Sequence, residues 1–185
     1  MVAVFNPVGG DEFEFLEHAS SSKHERDLLG QLVREEIPPW NWRTFEYRMI
    51  AEDDNRRRLR RSDAPSTNIG ELVLRHSAVT VLLPTLRHAG CEFVPLRCPD
   101  AKVVLVAPPR IDAFDEIRSD LSRMPGSPHM VHVRQFAFHP RPLETAVVFK
   151  TATRGITSTF VTDKFVSVWR RARLVGLTFN KLWEG

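Results

Sequence analysis

The apolar positions near the end of the chain change period twice. Thr159 to Val161 is a short β-rich run. Phe165, Val168, Trp169 and Ala172 then recur at i, i+3, i+4 and i+7, which is one face of a helix. Leu177, Phe179 and Trp183 follow at even spacing, as on one face of a strand. The pattern predicts a strand–helix–strand unit. Thr162 or Asp163 is placed to cap the helix. Arg170, Arg171 and Arg173 fall in its last turn, where cations suit the helix dipole. Gly176 is the expected left-handed stop, because glycine takes that conformation at least cost.

Upstream, residues 1–8 suggest a strand ended by Asn6 and Pro7. Phe13, Phe15 and Leu16 suggest a poor second one. Leu28, Leu29, Leu32 and Val33 predict an amphipathic helix over 23–36, closed by Ile37, Pro38 and Pro39. Phe45, Tyr47 and Met49 continue an alternation that predicts a strand over 42–50. A strand over 69–74 precedes a helix capped by Ser77, with Val79, Leu82, Leu83 and Leu86 as its apolar face. Pro84 is awkward inside that helix, and Gly90 ends it. Residues 91–96 read as an edge strand, the place that tolerates Pro95. Residues 101–107 form the clearest strand. Ile111, Phe114 and Ile117 are spaced to pack on one face. Residues 124–128 read as a loop, and 129–138 and 146–149 as strands. Strand readings outnumber helical ones. The expected class is α+β, a mostly antiparallel sheet with a few helices packed on it.

Composition narrows this further. The 185 residues suit one compact domain over 1–185, read as an N-terminal segment 1–61 packed on a core 62–185. The hydrophobic share of 42% supports a core without disulfide or metal. Cys91 and Cys98 match neither CxxC nor a zinc spacing, and two free thiols are expected over a disulfide. No basic leader precedes the acidic residues 11–14, and no apolar run approaches the ~20 residues of a membrane span. The expected compartment is the cytosol.

The candidate chemistry is sparse. Trp40, Trp42 and Arg43 combine residue types enriched at binding hot spots. On a strand the two tryptophans would face the same way, either over the core or toward a partner. Arg56, Arg57, Arg58, Arg60 and Arg61 follow a short acidic stretch. They read as a solvated surface, with an acidic protein or a phosphate backbone as alternatives. No aromatic residue interrupts the run, which weakens the nucleic-acid reading. Asp112, Asp115, Glu116 and Asp120 concentrate carboxylates, but the spacing is no calcium loop, so turn and cap chemistry is expected. His129 and His132 fall on opposite faces of a strand and do not pair for a metal. No nucleotide-loop, nucleophile-elbow or zinc-protease motif is present. The expectation is a protein without catalytic residues, cofactor or metal. Trp40, Trp42, Arg43 and the Arg56–Arg61 run are its candidate partner-binding residues.

From Ser62 onward a series of landmarks recurs in order. They are Ser62-Asp63; Gly90, Glu92, Pro95 and Leu96; Asp112, Phe114, Asp115 and Ser119; Phe136 to Phe138; Val148-Phe149-Lys150; Phe160 to Phe165; Leu174 to Phe179; and Leu182-Trp183. In this order and spacing the chain resembles the immunity protein 11 family of bacterial polymorphic-toxin systems, formerly a domain of unknown function. The resemblance implies a cytosolic immunity protein. Such a protein binds and neutralises a cognate toxin or effector, encoded next door, and so protects the producing cell and its kin. It implies no reaction. No membrane or nucleic-acid partner is expected. The landmarks are core and turn residues, so specificity is expected outside them. The alternative function is a nucleic-acid-associated regulator using the Arg56–Arg61 run.

Overall fold

The computed structural model describes residues 1–19, 22–33, 37–67, 70–124, 127–153 and 155–185. The elements in chain order are β1 (Ala3–Gly9), β2 (Phe15–His18), α1 (Lys23–Val33), a 3-10 helix (Pro39–Thr44), β3 (Tyr47–Ile50), β4 (Ser66–Thr67), β5 (Val73–Arg75), α2 (His76–His88), β6 (Glu92–Pro95), β7 (Val103–Ala107), β8 (Arg110–Ile111), β9 (Asp120–Met124), β10 (Ser127–Gln135), α3 (Pro140–Leu143), β11 (Val148–Thr151), β12 (Phe160–Thr162), α4 (Asp163–Arg171) and β13 (Leu177–Glu184). The fold is α+β, with mostly antiparallel open sheets. A five-stranded sheet runs β13-β1-β12-β11-β8 and a three-stranded sheet runs β5-β7-β6. A second three-stranded sheet, β3-β2-β4, and the β9–β10 hairpin complete the strands named above.

Alternation along the strands divides the interior into three cores. Val148 and Val161 of the large sheet, and Leu74 and Val106 of the β5-β7-β6 sheet, face α2 and α4. Helix α2 contributes Ala78, Val79, Leu82 and Leu86, and α4 contributes Phe165, Val166 and Trp169. Val73, Val103 and Leu105 point the other way, toward Leu16, Leu32, Trp42, Phe45 and Tyr47. Phe149 and Phe160 face an aromatic core with Phe114 and Phe138. Strands β5, β7, β11 and β12 thus each serve two cores through the two-residue side-chain period.

Several expectations give way to local physics. Strand β1 runs through Asn6 and Pro7 to Gly9 against β13. Its pairing with β12 covers Val4 and Phe5, so past Phe5 a residue without an N–H is tolerated. Residues 42–50 are not one strand, since the chain is a 3-10 helix up to Thr44. Ser77 does not cap α2: Arg75 is the N-cap, without a side-chain cap bond. Pro84 lies inside α2 on its exposed side, where water reaches the carbonyl that it frees. Ser22 and Glu25 form an unforeseen capping pair for α1, with Glu25 N–H donating to Ser22 Oγ at 3.2 Å and Ser22 Oγ donating to Glu25 Oε2 at 2.6 Å. Ile117 does not join Ile111 and Phe114: it is 97% exposed. The last positions of the expected first helix, 34–36, and Ile69 of the expected strand lie outside the described residues.

The C-terminal unit forms, with two corrections. Thr162 is the N-cap of α4, but its hydroxyl is spent on the Ala146 carbonyl at 2.9 Å. The left-handed stop is Arg173 (φ 54°), not Gly176. Arg173 N–H donates to Arg170 O at 3.0 Å and Leu174 N–H to Trp169 O at 3.2 Å, a Schellman closure. Helix α2 closes alike on Gly90, with Gly90 N–H to Arg87 O and Cys91 N–H to Leu86 O, both 3.0 Å. Arg173→Gly is therefore expected to stabilise the fold by about 0.5–1 kcal/mol in urea unfolding. A loss of stability would show that the arginine side chain matters more than its backbone.

Strand β13 carries a bulge, since Val4 pairs with Trp183 but Phe5 with Lys181. The extra residue reverses the parity between the two halves of the strand. Leu177 and Phe179 reach the α2–α4 core, whereas Leu182 and Trp183 reach the aromatic core. Cys91 and Cys98 are free. Cys91 is buried in the α2–α4 core, and burial pushes its thiol up to about 12. A thiol reagent near pH 8 is expected to label the half-buried Cys98 and to leave Cys91 unmodified until unfolding. Equal labelling rates would place Cys91 outside the core.

Candidate functional site

A cleft of about 600 Å³ opens between the 3-10 helix and the segment joining β7 to β8. Pro38 and Pro39 start the 3-10 helix, since proline has no N–H to satisfy there. Asn41 N–H and Nδ2–H both donate to Pro38 O, at 3.1 and 3.0 Å. Thr44 Oγ1 donates to Asn41 O at 2.7 Å. At three residues per turn, side chains two apart point away from each other. Trp42 therefore packs inward at 2% exposure, and Trp40 stands out at 51%. This corrects the same-face expectation. Trp42 offers the outer surface nothing, and Trp40 alone of the pair is available to a large partner.

Ile37, Pro38, Pro39 and Trp40 form one wall of the cleft, and Ala107, Pro108 and Pro109 another. Glu71 and Lys150 also line it, their side chains only 7% and 8% exposed. Lys150 Nζ donates to Glu71 Oε1 at 2.8 Å. A pair this deep loses hydration on both sides, so its mutual attraction has to offset that cost. The Tyr47 hydroxyl, close enough to feel the Glu71 charge, is buried and has no hydrogen-bond partner among the described residues. Burial first, and the Glu71 carboxylate second, push its phenol above the ordinary value. Arg110 borders the same cleft and donates from Nη1 to Thr151 O at 2.8 Å. Partial burial lowers its guanidinium from the usual value. Glu92 lies on the β6 side and is exposed.

The other charged groups serve the scaffold. Glu14 Oε1 accepts from Ser62 N–H at 2.9 Å and from Arg75 Nε–H at 3.0 Å, and Arg75 Nη2 also bonds to it. Arg75 Nε–H further donates to Ser62 O at 2.9 Å. Asp63 Oδ2 accepts from Val175 N–H, and Asp63 N–H donates to Val175 O, both at 2.9 Å. The Ser62-Asp63 turn thus seats the turn before β13. Asp112, Asp115 and Glu116 border a shallow hollow with Arg118 and His139. Asp115 Oδ1 accepts from Ile117 N–H at 3.1 Å and Arg118 N–H at 3.0 Å, which is turn capping. Among the described residues no group of three or more His, Cys, Asp and Glu side chains is placed to hold a metal ion. Among the same residues, no helix is long and apolar enough to cross a membrane.

The five arginines of the basic run are all exposed, around a turn in which Asp53 Oδ1 accepts from Asn55 N–H and Arg57 N–H. Arg57 Nε pairs with Asp53 Oδ2 at 3.1 Å, and Arg60 stacks over Phe13 at 4.8 Å from the ring centroid. Arg43 is exposed at the end of the 3-10 helix. None of Arg43, Arg56, Arg57, Arg58, Arg60 and Arg61 lines the cleft, whereas Trp40 and Trp42 do. Glu71, Lys150 and Arg110 line the cleft, and the sequence reading offered none of them as a site residue. The available signal was parity: Lys150 stands two residues from the core Val148, on the same strand face. No protein-family model matches the chain, and no curated protein matches it either.

Proposed function

We propose that this chain is a binding protein of the immunity type, which holds a cognate bacterial toxin or effector and carries out no reaction itself. The observation that supports it is Trp40, half exposed at the mouth of a proline-walled cleft. Large rigid aromatics such as tryptophan supply much of the energy of protein interfaces once a partner covers them. Proline walls add to this, because they lose little freedom when a partner docks. The toxin as partner rests on the resemblance carried by Ser62 to Trp183. The cytosol is the compartment this role requires. Arg43 and the exposed Arg56–Arg61 run would add attraction for an acidic partner surface.

The test is capture of the product of the neighbouring gene, together with rescue of growth on co-expression. Trp40→Ala is expected to leave urea stability within about 0.5 kcal/mol and to weaken capture at least about tenfold. Unchanged capture by that variant would move the contact surface elsewhere. Capture of no neighbouring product would remove the toxin reading. Salt-sensitive binding to DNA or RNA through the arginine run would favour the regulatory alternative.

A further inference from the structure

The five-stranded sheet ends differently on its two sides. Its β8 edge is two residues long and follows Pro108 and Pro109. Its other edge is β13, eight residues without a proline. Among the described residues no strand pairs with the outer side of β13. Several other strands are blunted against such pairing. The Met49 N–H of β3 is taken by Asp100 Oδ2 at 3.0 Å, β6 ends on Pro95, and β10 holds Pro128 and two register breaks against β9. Prolines, bulges and covered N–H groups are how sheet edges avoid joining other chains.

The pairing with β1 fixes which backbone groups of β13 point outward. Gly10 N–H donates to Gly176 O at 3.3 Å, and the ladder repeats every two residues from there. Gly9–Leu177, Pro7–Phe179 and Phe5–Lys181 are then the non-bonded positions, which suits Pro7. The N–H and C=O groups of Leu177, Phe179 and Lys181 therefore point away from β1, at even spacing. The bulge lies beyond Lys181, so 177–181 is regular. Both cores are also unfinished along this strand. Leu177 and Phe179 on one core, and Leu182 and Trp183 on the other, are half-buried, whereas Phe160 and Val161 of β12 are fully buried.

The regular segment is symmetric about Phe179. A second copy related by a two-fold axis sets Phe179 against Phe179, Thr178 against Asn180 and Leu177 against Lys181. Outward groups then meet outward groups, for about six ladder hydrogen bonds. The faces match too, since Leu177, Phe179 and Lys181 share one face and Thr178 and Asn180 the other. Lys181, the one charged residue of the segment, meets a leucine, so no like charges are directly opposed. Lys181 Nζ also keeps Glu184 Oε2 of its own chain, at 2.8 Å.

We propose that β13 pairs with β13 of a second copy of this chain, antiparallel and about a two-fold axis, so that the two large sheets become one. Such an interface uses the same patch on both copies. It does not rest on the toxin-binding reading, and it uses neither Trp40 nor the cleft.

The test is sedimentation equilibrium of the full chain between about 1 and 300 µM. The expected result is a monomer–dimer equilibrium with Kd of about 1–100 µM, since the joint is short. Amide hydrogen exchange at Leu177, Phe179 and Lys181 is expected to slow as concentration rises through that range, and exchange at Thr178 and Asn180 to change less. Thr178→Glu/Asn180→Glu places carboxylates face to face across the joint, and Thr178→Lys/Asn180→Lys places ammonium groups there. Both positions are exposed in the single copy, so melting temperatures at low concentration are expected to stay within about 3 °C. Each variant alone should dimerise at least about tenfold more weakly, and an equimolar mixture of the two should regain the wild-type affinity. A chain that stays monomeric to about 300 µM overturns the proposal, whatever other strand the edge accepts. So does a dimer that both variants leave unchanged, or a mixture that associates no better than either variant alone. Exchange at Phe179 that is independent of concentration overturns it without any substitution.

Discussion

Replacing Lys150 by methionine is expected to cost about 3–5 kcal/mol of stability, measured by urea unfolding. The lysine stem already lies in a buried strand, and methionine fills similar space, so packing changes little. What changes is Glu71, whose carboxylate is left in a site where its side chain is only 7% exposed. Removing one member of a buried pair leaves an uncompensated charge, and that penalty exceeds the net worth of the intact pair. The double variant Glu71→Leu/Lys150→Met removes both charges and is expected to recover most of the loss. A double variant as unstable as the single one would show that Lys150 acts through contacts other than Glu71. The comparison separates the cost of an orphaned charge from the value of the pair.

Gly176→Ala is the second large effect, expected at about 3–5 kcal/mol. Gly176 has φ 108°, outside the region that residues with a Cβ adopt comfortably. A Cβ there would overlap Ser62 Oγ and stand 2.9 Å from Ser62 Cβ. Ser62 cannot swing away cheaply. It is fully buried, its N–H donates to Glu14, and its Oγ accepts from Ala64 N–H at 3.1 Å. Backbone strain and overlap therefore add. Ser62→Gly in the same chain is expected to relieve the overlap but not the strain, so the two changes should couple favourably in a double-mutant cycle. Strict additivity would mean that the backbone separates at this joint without help.

The same position shows how far sequence reaches. Gly176 follows the arginines that end α4, yet it is not needed there as a helix stop, because Arg173 has already taken the left-handed turn. It is required instead by the approach of Ser62, which lies 114 positions earlier (176 − 62). Spacing reports local conformation and is silent about such a neighbour. The α+β class, the inward face of α4 and the core of β7 were legible because period and burial coincide over whole elements. The 3-10 helix was not, because the Trp40–Trp42 spacing suits a strand as well, and the proline pair decides between them. The cleft was least legible. Its lining comes from α1, the 3-10 helix, β6, β7, β8 and β11, and its buried pair joins residues 71 and 150. A lysine in a short apolar run announces burial only through parity, and its partner is set by tertiary packing.

Strand β1 is held between β12 and β13, so residues 3–9 find their strand partners at 161–162 and 177–184. Closing a loop of that length costs about 2–3 kcal/mol more than closing one of roughly ten residues. The β5-β7-β6 sheet, by contrast, closes within residues 73–107. Contacts distant in sequence form late. On a ribosome the small sheet can assemble while the large one waits for the final strand to emerge. The cleft shares in that delay, because Lys150 and Arg110 belong to the large sheet. A nascent chain is therefore expected to gain its fold in two instalments, with the cleft arriving in the second.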